Sequence, residues 1–123
     1  MERHREWLYK AENDYESAVV LLAAKLNDTS IYHTQQCAEK ALKAYIVYKG
    51  ILAPKTHDLD KLLDLCKDFD NTFISIDLIT FELNGLDVKF RYPSPDLEPP
   101  EKDVKDCIQW AKDIFDFVKS KCI

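Results

Sequence analysis

The sequence predicts an all-α chain: an antiparallel, up-and-down bundle of four main helices plus one short helix. Three observations carry this. Apolar residues recur at spacings of three and four through most of the chain. Only two glycines occur, Gly50 and Gly85, so hairpins built on glycine turns are disfavoured. No stretch sustains the period-two alternation of a half-buried strand. A chain of 123 residues supports one core, and residues 1–123 are expected to form a single domain.

The first helix is expected from about Glu2 to Lys25. Trp7, Leu8, Ala11, Tyr15, Ala18, Val19 and Leu22 make its apolar stripe. Asn27 to Ser30 breaks the pattern and offers capping oxygens. The second helix follows, from about Ser30 to Lys49, with Ile31, Thr34, Ala38, Ala41, Leu42, Tyr45 and Tyr48 on one face. Gly50 suits its C-terminus because glycine accepts positive φ. After a short loop with Pro54, Thr56 is placed as the cap of a third, shorter helix containing Leu59, Leu62, Leu63 and Cys66. Asp58 and Asp60 in its first turn complement the helix dipole. Phe73 to Tyr92 is expected to be mostly a fourth helix, although Gly85 and several β-branched residues weaken it. YPSPDLEPP must be a loop, since it holds four of the five prolines. Pro100 or Glu101 then opens the last helix, to about Lys121. Val104, Cys107, Ile108, Ala111, Ile114, Phe115 and Val118 give it the cleanest amphipathic pattern in the chain.

Composition excludes several functions. The formal net charge of −5 argues against a generic basic glove for nucleic acid, so any phosphate contact needs a local patch. Two isolated glycines cannot build a P-loop or a dinucleotide fingerprint. None of the three histidines (His4, His33, His57) has a Glu three residues before it, which removes the usual helical-bundle di-iron motif. No serine-hydrolase elbow or His-Glu-x-x-His is present. The four cysteines form no C-x-x-C and match no zinc module, and their plain reading is small buried thiols. His33 and Cys37 are four apart on one helix, but two ligands do not make a metal site, and no metal or other cofactor is expected. No apolar run reaches the ~18–20 residues of a membrane span, and the charged start MERHREWLYK has no signal-peptide pattern. The expected location is the cytoplasm.

Two stretches could carry function. In QQCAEKALKAY (Gln35 to Tyr45) the helical wheel puts Gln35 near the apolar stripe, as a buried amide. It puts Gln36, Lys40 and Lys43 on the opposite side, as an outward polar strip. Glu39 and Lys43 are an i, i+4 pair in the favourable order. Apolar residues off the main stripe make this helix either central or partner-facing. The second stretch is KFRYPSPD, where a helix ends in Lys89, Arg91 and Tyr92. Cations there stabilise the helix dipole. They could also offer Arg91 to a phosphate and Tyr92 to a stacked base.

In order and spacing, four motifs together resemble the HEPN domain, a family named for its spread through higher eukaryotes and prokaryotes and for proposed nucleotide binding. They are W-x3-A-x2-D-Y-x2-A (Trp7 to Ala18), H-x-Q-Q-x-A-E-K-A-L-K-A-Y (His33 to Tyr45), T-H-D-L-x-x-L-L (Thr56 to Leu63) and R-Y-P (Arg91 to Pro93). The resemblance covers nearly the whole chain. It implies a bundle of four main helices, often a homodimer, and often a minimal nucleotidyltransferase as partner in a toxin–antitoxin pair. Many members of the wider superfamily are metal-independent ribonucleases marked by an Arg followed, four to six residues on, by a His. Here Arg91 matches that Arg, but no His follows it. The expected general acid–base is therefore missing from its place.

The reading is a HEPN-like module, non-catalytic, binding a nucleotide, an RNA element or a nucleotidyltransferase partner. Arg91 and Tyr92 are the expected ligand contacts, with Lys40, Lys43 and His33 as weaker ones. A ribonuclease toxin using Arg91 with a His from elsewhere, and a pure dimerisation module, are the alternatives.

Overall fold

A computed structural model of the chain describes residues 3–90 and 99–122. Among these residues the structure is helical, without strands. Helix α1 spans His4–Ala23, α2 Asn27–Tyr48 and α3 Leu59–Phe69. A 3₁₀ turn covers Asn71–Ile76, followed by α4 Asp77–Leu83, the single-turn α5 Leu86–Lys89, and α6 Glu101–Lys121.

Helices α1 and α2 form an antiparallel pair. A three-residue turn joins them, and matched contacts run their length: the Ser30 hydroxyl donates to the Ala18 carbonyl at 2.7 Å, and the His4 ring meets Tyr48 edge-on at 5.0 Å. Helix α6 runs in the same direction as α2. Ile31 lies by Cys107 and Trp110, Cys37 by the Ala111 carbonyl, and Lys49 by Cys122. The segment from the 3₁₀ turn to α5 runs opposite to α6, because Asp70 just before it pairs with Lys121 while Phe90 lies by Asp106. The four main elements therefore alternate in direction, as the sequence predicts. The short α3 runs alongside α2, with its Cys66 thiol against the Leu42 carbonyl.

Helix α2 is the centre. Thirteen of its 22 residues are buried, on more than one side. Its core partners include Leu59, Leu62 and Leu63 of α3 and Val104, Ala111, Ile114 and Val118 of α6. Tyr45 packs on Phe73 (4.5 Å between ring centres), and Phe73 meets Phe117 edge-on at 5.0 Å. Each such buried aromatic contributes on the order of several kcal/mol.

Element boundaries differ from the sequence reading in four places, each for a local reason. Helix α1 stops before Lys25, which adopts a left-handed φ of +63°. The Leu26 amide then caps back to the Leu21 carbonyl, so the break is shorter than expected. Helix α2 begins at Asn27, which leaves Ser30 inside the helix with its hydroxyl turned onto α1 rather than capping. Asp58, not Thr56, caps α3: its carboxylate accepts from the amides of Asp60 and Lys61, while the Thr56 hydroxyl accepts from the Asp58 amide. The single fourth helix expected over Phe73–Tyr92 is instead, over its described residues to Phe90, a 3₁₀ turn and two short helices. Gly85 takes φ +82°, and Asn84 is drawn out of helical geometry to bridge the start of α3. Its side chain accepts from the Leu59 amide and donates to Asp58 and Asp60. Gly50, by contrast, closes α2 as expected, at φ +88°, with the Gly50 and Ile51 amides bonded back to Val47 and Ile46.

Val19, assigned to the α1 stripe, is exposed.

Candidate functional site

The polar residues of α2 assemble into two small clusters, each built on one carboxylate. In the first, buried Asp14 of α1 sits between His33 and Lys40 of α2. Its two oxygens lie 2.8 Å from His33 Nδ1 and 2.6 Å from Lys40 Nζ. In the second, buried Glu39 sits between Lys43, one turn on, and His57 of the loop before α3. Its oxygens lie 3.0 Å from Lys43 Nζ and 2.9 Å from His57 Nδ1. Lys43 also lies over the Trp7 ring, 5.7 Å from its centre. A carboxylate only accepts, so Nδ1 carries the hydrogen in both histidines, and each Nε2 is left facing away from its carboxylate.

This corrects the wheel. Lys43 is 5% exposed and faces α1, not solvent, and Lys40 is half-buried. A wheel centred on Ala38 assumes one buried side. Helix α2 has more than one, because α1, α3 and α6 all pack on it. The 3.6 periodicity cannot say which polar residues meet a carboxylate from another helix. Gln35 is buried, as expected. Asp14 was visible only as a family-motif position and His57 only as that and as one of three histidines, and nothing in their local spacing reveals their partners on α2.

The clusters have a structural consequence. Glu39 and Lys43 are an ion pair with little water around it. Removing one partner leaves a buried charge uncompensated. His57 is 80% exposed, so the second cluster pins the α2–α3 loop from outside. His33 borders a shallow groove with Asn13, Glu16, Ser17, Val20 and Leu21. Arg91 and Tyr92 lie outside the described residues. The chain leads to them from Phe90. Phe90 lines a cleft of about 220 Å³ with Ile31, Leu86, Lys89, Cys107 and Trp110, rimmed by Glu82, Asp103 and Asp106.

None of the four cysteines has nucleophile character. Burial pushes the thiols of Cys37, Cys66 and Cys107 up to about 12, and that of Cys122 to about 11. All four are free. His33 and Cys37 do not converge: the ring turns to Asp14, and the Cys37 sulfur to the Ala111 carbonyl on α6. Among the described residues no three His, Cys, Asp or Glu side chains gather as a metal-holding group. No helix among them is long and apolar enough to cross a membrane.

A helical bundle whose central helix is fixed by carboxylate–histidine–lysine clusters, and whose fourth element runs into Arg-Tyr-Pro, defines the class. Residues 4–121 match the model of the HEPN domain, and the chain belongs to that family. Over its whole length it superposes on the whole of ST0689, a crystal structure described as an archaeal HEPN homologue, with TM-score 0.79 and 26% identity. TT1696 from Thermus thermophilus shares the fold, with TM-score 0.78 and 23% identity over 98% of this chain and 99% of that one. A 46-residue stretch, 37% of this chain, is 46% identical to "Putative toxin MJ1304" of Methanocaldococcus jannaschii; it spans 30% of that relative.

Proposed function

We propose that this chain is the HEPN component of a toxin–antitoxin-like pair, and that it works by binding rather than by cutting RNA. Its ligand is a nucleotide or RNA element, or a nucleotidyltransferase partner, met as a homodimer through the region of Arg91 and Tyr92. One observation carries the non-catalytic part: all three histidines precede Arg91, at positions 4, 33 and 57, so none stands where an acid–base after that Arg belongs. The relative described as a toxin supports the two-component setting. The pairing of Lys40 with Asp14 and of Lys43 with Glu39 leaves Arg91 as the preferred phosphate contact.

A second reading is favoured by one feature. Glu39 orients His57 through Nδ1 and leaves Nε2 open on an exposed ring, the geometry of an oriented base. On that reading the chain is a ribonuclease that combines Arg91 with His57.

Fluorescence anisotropy of a labelled RNA at low salt, with an EDTA-containing cleavage assay alongside, separates the two. Binding without cleavage, weakened at least about tenfold in Arg91→Ala, is the expected result. Cleavage that disappears in both Arg91→Ala and His57→Ala establishes the second reading instead.

A further inference from the structure

Three large apolar side chains of the 3₁₀ turn and α4 meet solvent, beside the exposed Ser75, Asp77 and Glu82. Ile74, Leu78 and Phe81 are 60%, 72% and 66% exposed, and Val88 beyond the Gly85 break is exposed as well. The first three follow at spacings of four and three and line one groove of about 490 Å³. Asp60 and Asp64 of α3 form its other side, with Ser75 and Asp77 at the edge. Large apolar side chains grouped in a groove with a polar rim mark an interaction surface.

Charge selects the occupant. Between Asp58 and Phe90 there are eight carboxylates against three lysines, so this segment carries a net −5, the whole formal charge of the chain. At the groove Lys67 offsets the rim, held by Asp77 at 2.6 Å and lying 3.9 Å from the largely exposed Asp64, so two of the three carboxylates share one lysine. A second copy seated here would bring a second set of Asp60, Asp64 and Asp77 into the same interface, which is repulsive. A partner with an apolar ridge flanked by Lys or Arg fits both features.

We propose that the α3–α4 groove docks a basic amphipathic helix of another protein. Its apolar ridge lies on Ile74, Leu78 and Phe81, and its cations face Asp60 and Asp64. The proposal does not rest on the ligand reading, since none of these residues is Arg91, Tyr92, Lys40, Lys43 or His33.

Two synthetic helical peptides test it. They share a leucine face and differ in bearing lysine or glutamate on the polar face. Binding is read by anisotropy against the wild-type chain, Leu78→Ser/Phe81→Ser, and Val20→Ser as a control on α1. The fold of each variant is checked by circular dichroism; all three side chains are exposed, so it should stand. The lysine peptide should bind at least about tenfold more tightly than the glutamate one. It should weaken as salt rises from about 50 mM to about 500 mM. It should lose about tenfold or more in the double-serine variant and nothing in Val20→Ser. Equal binding of both peptides, no binding, or an unaffected double-serine variant overturns the proposal. So does sedimentation of the wild type as a dimer and of the double-serine variant as a monomer, which makes the groove a contact between copies of this chain.

Discussion

Helix α2 and the segment from Asn71 to Lys89 invert the usual division between inside and outside. Helix α2 buries Glu39 and Lys43, while the later segment exposes Ile74, Leu78 and Phe81. The charges inside are paired, by Lys43 and His57 on Glu39, and by His33 and Lys40 on Asp14. Among the described residues, nothing covers the apolar side chains outside. Unusual polarity in α2 therefore belongs to the scaffold, where it sets α1, α2 and the loop before α3 in register. Unusual polarity in the 71–89 segment points outward, to something the chain does not itself supply.

The largest effect tests the inner half of that contrast. Glu39→Ala leaves Lys43 buried without its carboxylate, and urea denaturation should show a loss of roughly 3–5 kcal/mol. Glu39→Met with Lys43→Met should recover most of it, because an apolar pair of similar size removes both charges. A single-mutant cost under about 1 kcal/mol would mean that the pair is hydrated and the contrast false.

The same interior should reject a charge that has no partner. The folded chain holds the thiols of Cys37, Cys66 and Cys107 up to about 12, above their ordinary value of 9.0, because burial disfavours the thiolate. The unfolded chain ionises first as pH rises. Stability is therefore intact below pH 9 and falls between 9 and about 12, by on the order of 1 kcal/mol per buried thiol at pH 10. A melting temperature flat across that range, or one whose fall is no smaller when the three cysteines are replaced by alanine, would contradict this.

Between the two regions stands the Asp58–Asn84 link. Asp58→Ala removes the α3 cap and leaves Asn84 without one of its acceptors, so it should cost about 1–2 kcal/mol by urea titration. The Asn84 hydrogen bond, with the capped amides, holds the Asp58 carboxyl below its ordinary value. Its contribution is thus present above the usual carboxylate range and fades as pH falls through the lowered value, a fade that Asp58→Ala should abolish.

The smallest stability effect sharpens the outer half. Leu78→Ser and Phe81→Ser should each lie within about 0.5 kcal/mol of wild type in the urea midpoint, since neither side chain is buried. A cost above about 2 kcal/mol would make these residues part of the core.

How much of this the sequence reveals varies with the range of the interaction. Periodicity located α1, α2 and α6 to within a few residues, because their stripes are long and their contacts repeat. It overran the segment after Phe73, where a single side chain from another element, Asn84 reaching α3, joins with Gly85 to break the helix. Gln35 was legible as a buried amide, since it lies on the stripe. The Glu39–Lys43 pair was legible from its i, i+4 spacing, but not its burial against α1, and the Asp14 that holds Lys40 comes from another helix, because a wheel has only one inside. The motifs identified the family more directly than any single residue identified a site. Arg91 and Tyr92 stand as sequence candidates.

The most direct test compares the two candidate locations for ligand contact in one titration. RNA binding at low salt is measured for the wild type, for Glu39→Gln with Lys43→Met, and for Arg91→Ala. Affinity should stay within about twofold of wild type for the neutralised α2 pair and fall about tenfold or more for Arg91→Ala. Affinity lost with the α2 pair and retained in Arg91→Ala would contradict this, and would place the contact on the helix assigned here to the scaffold.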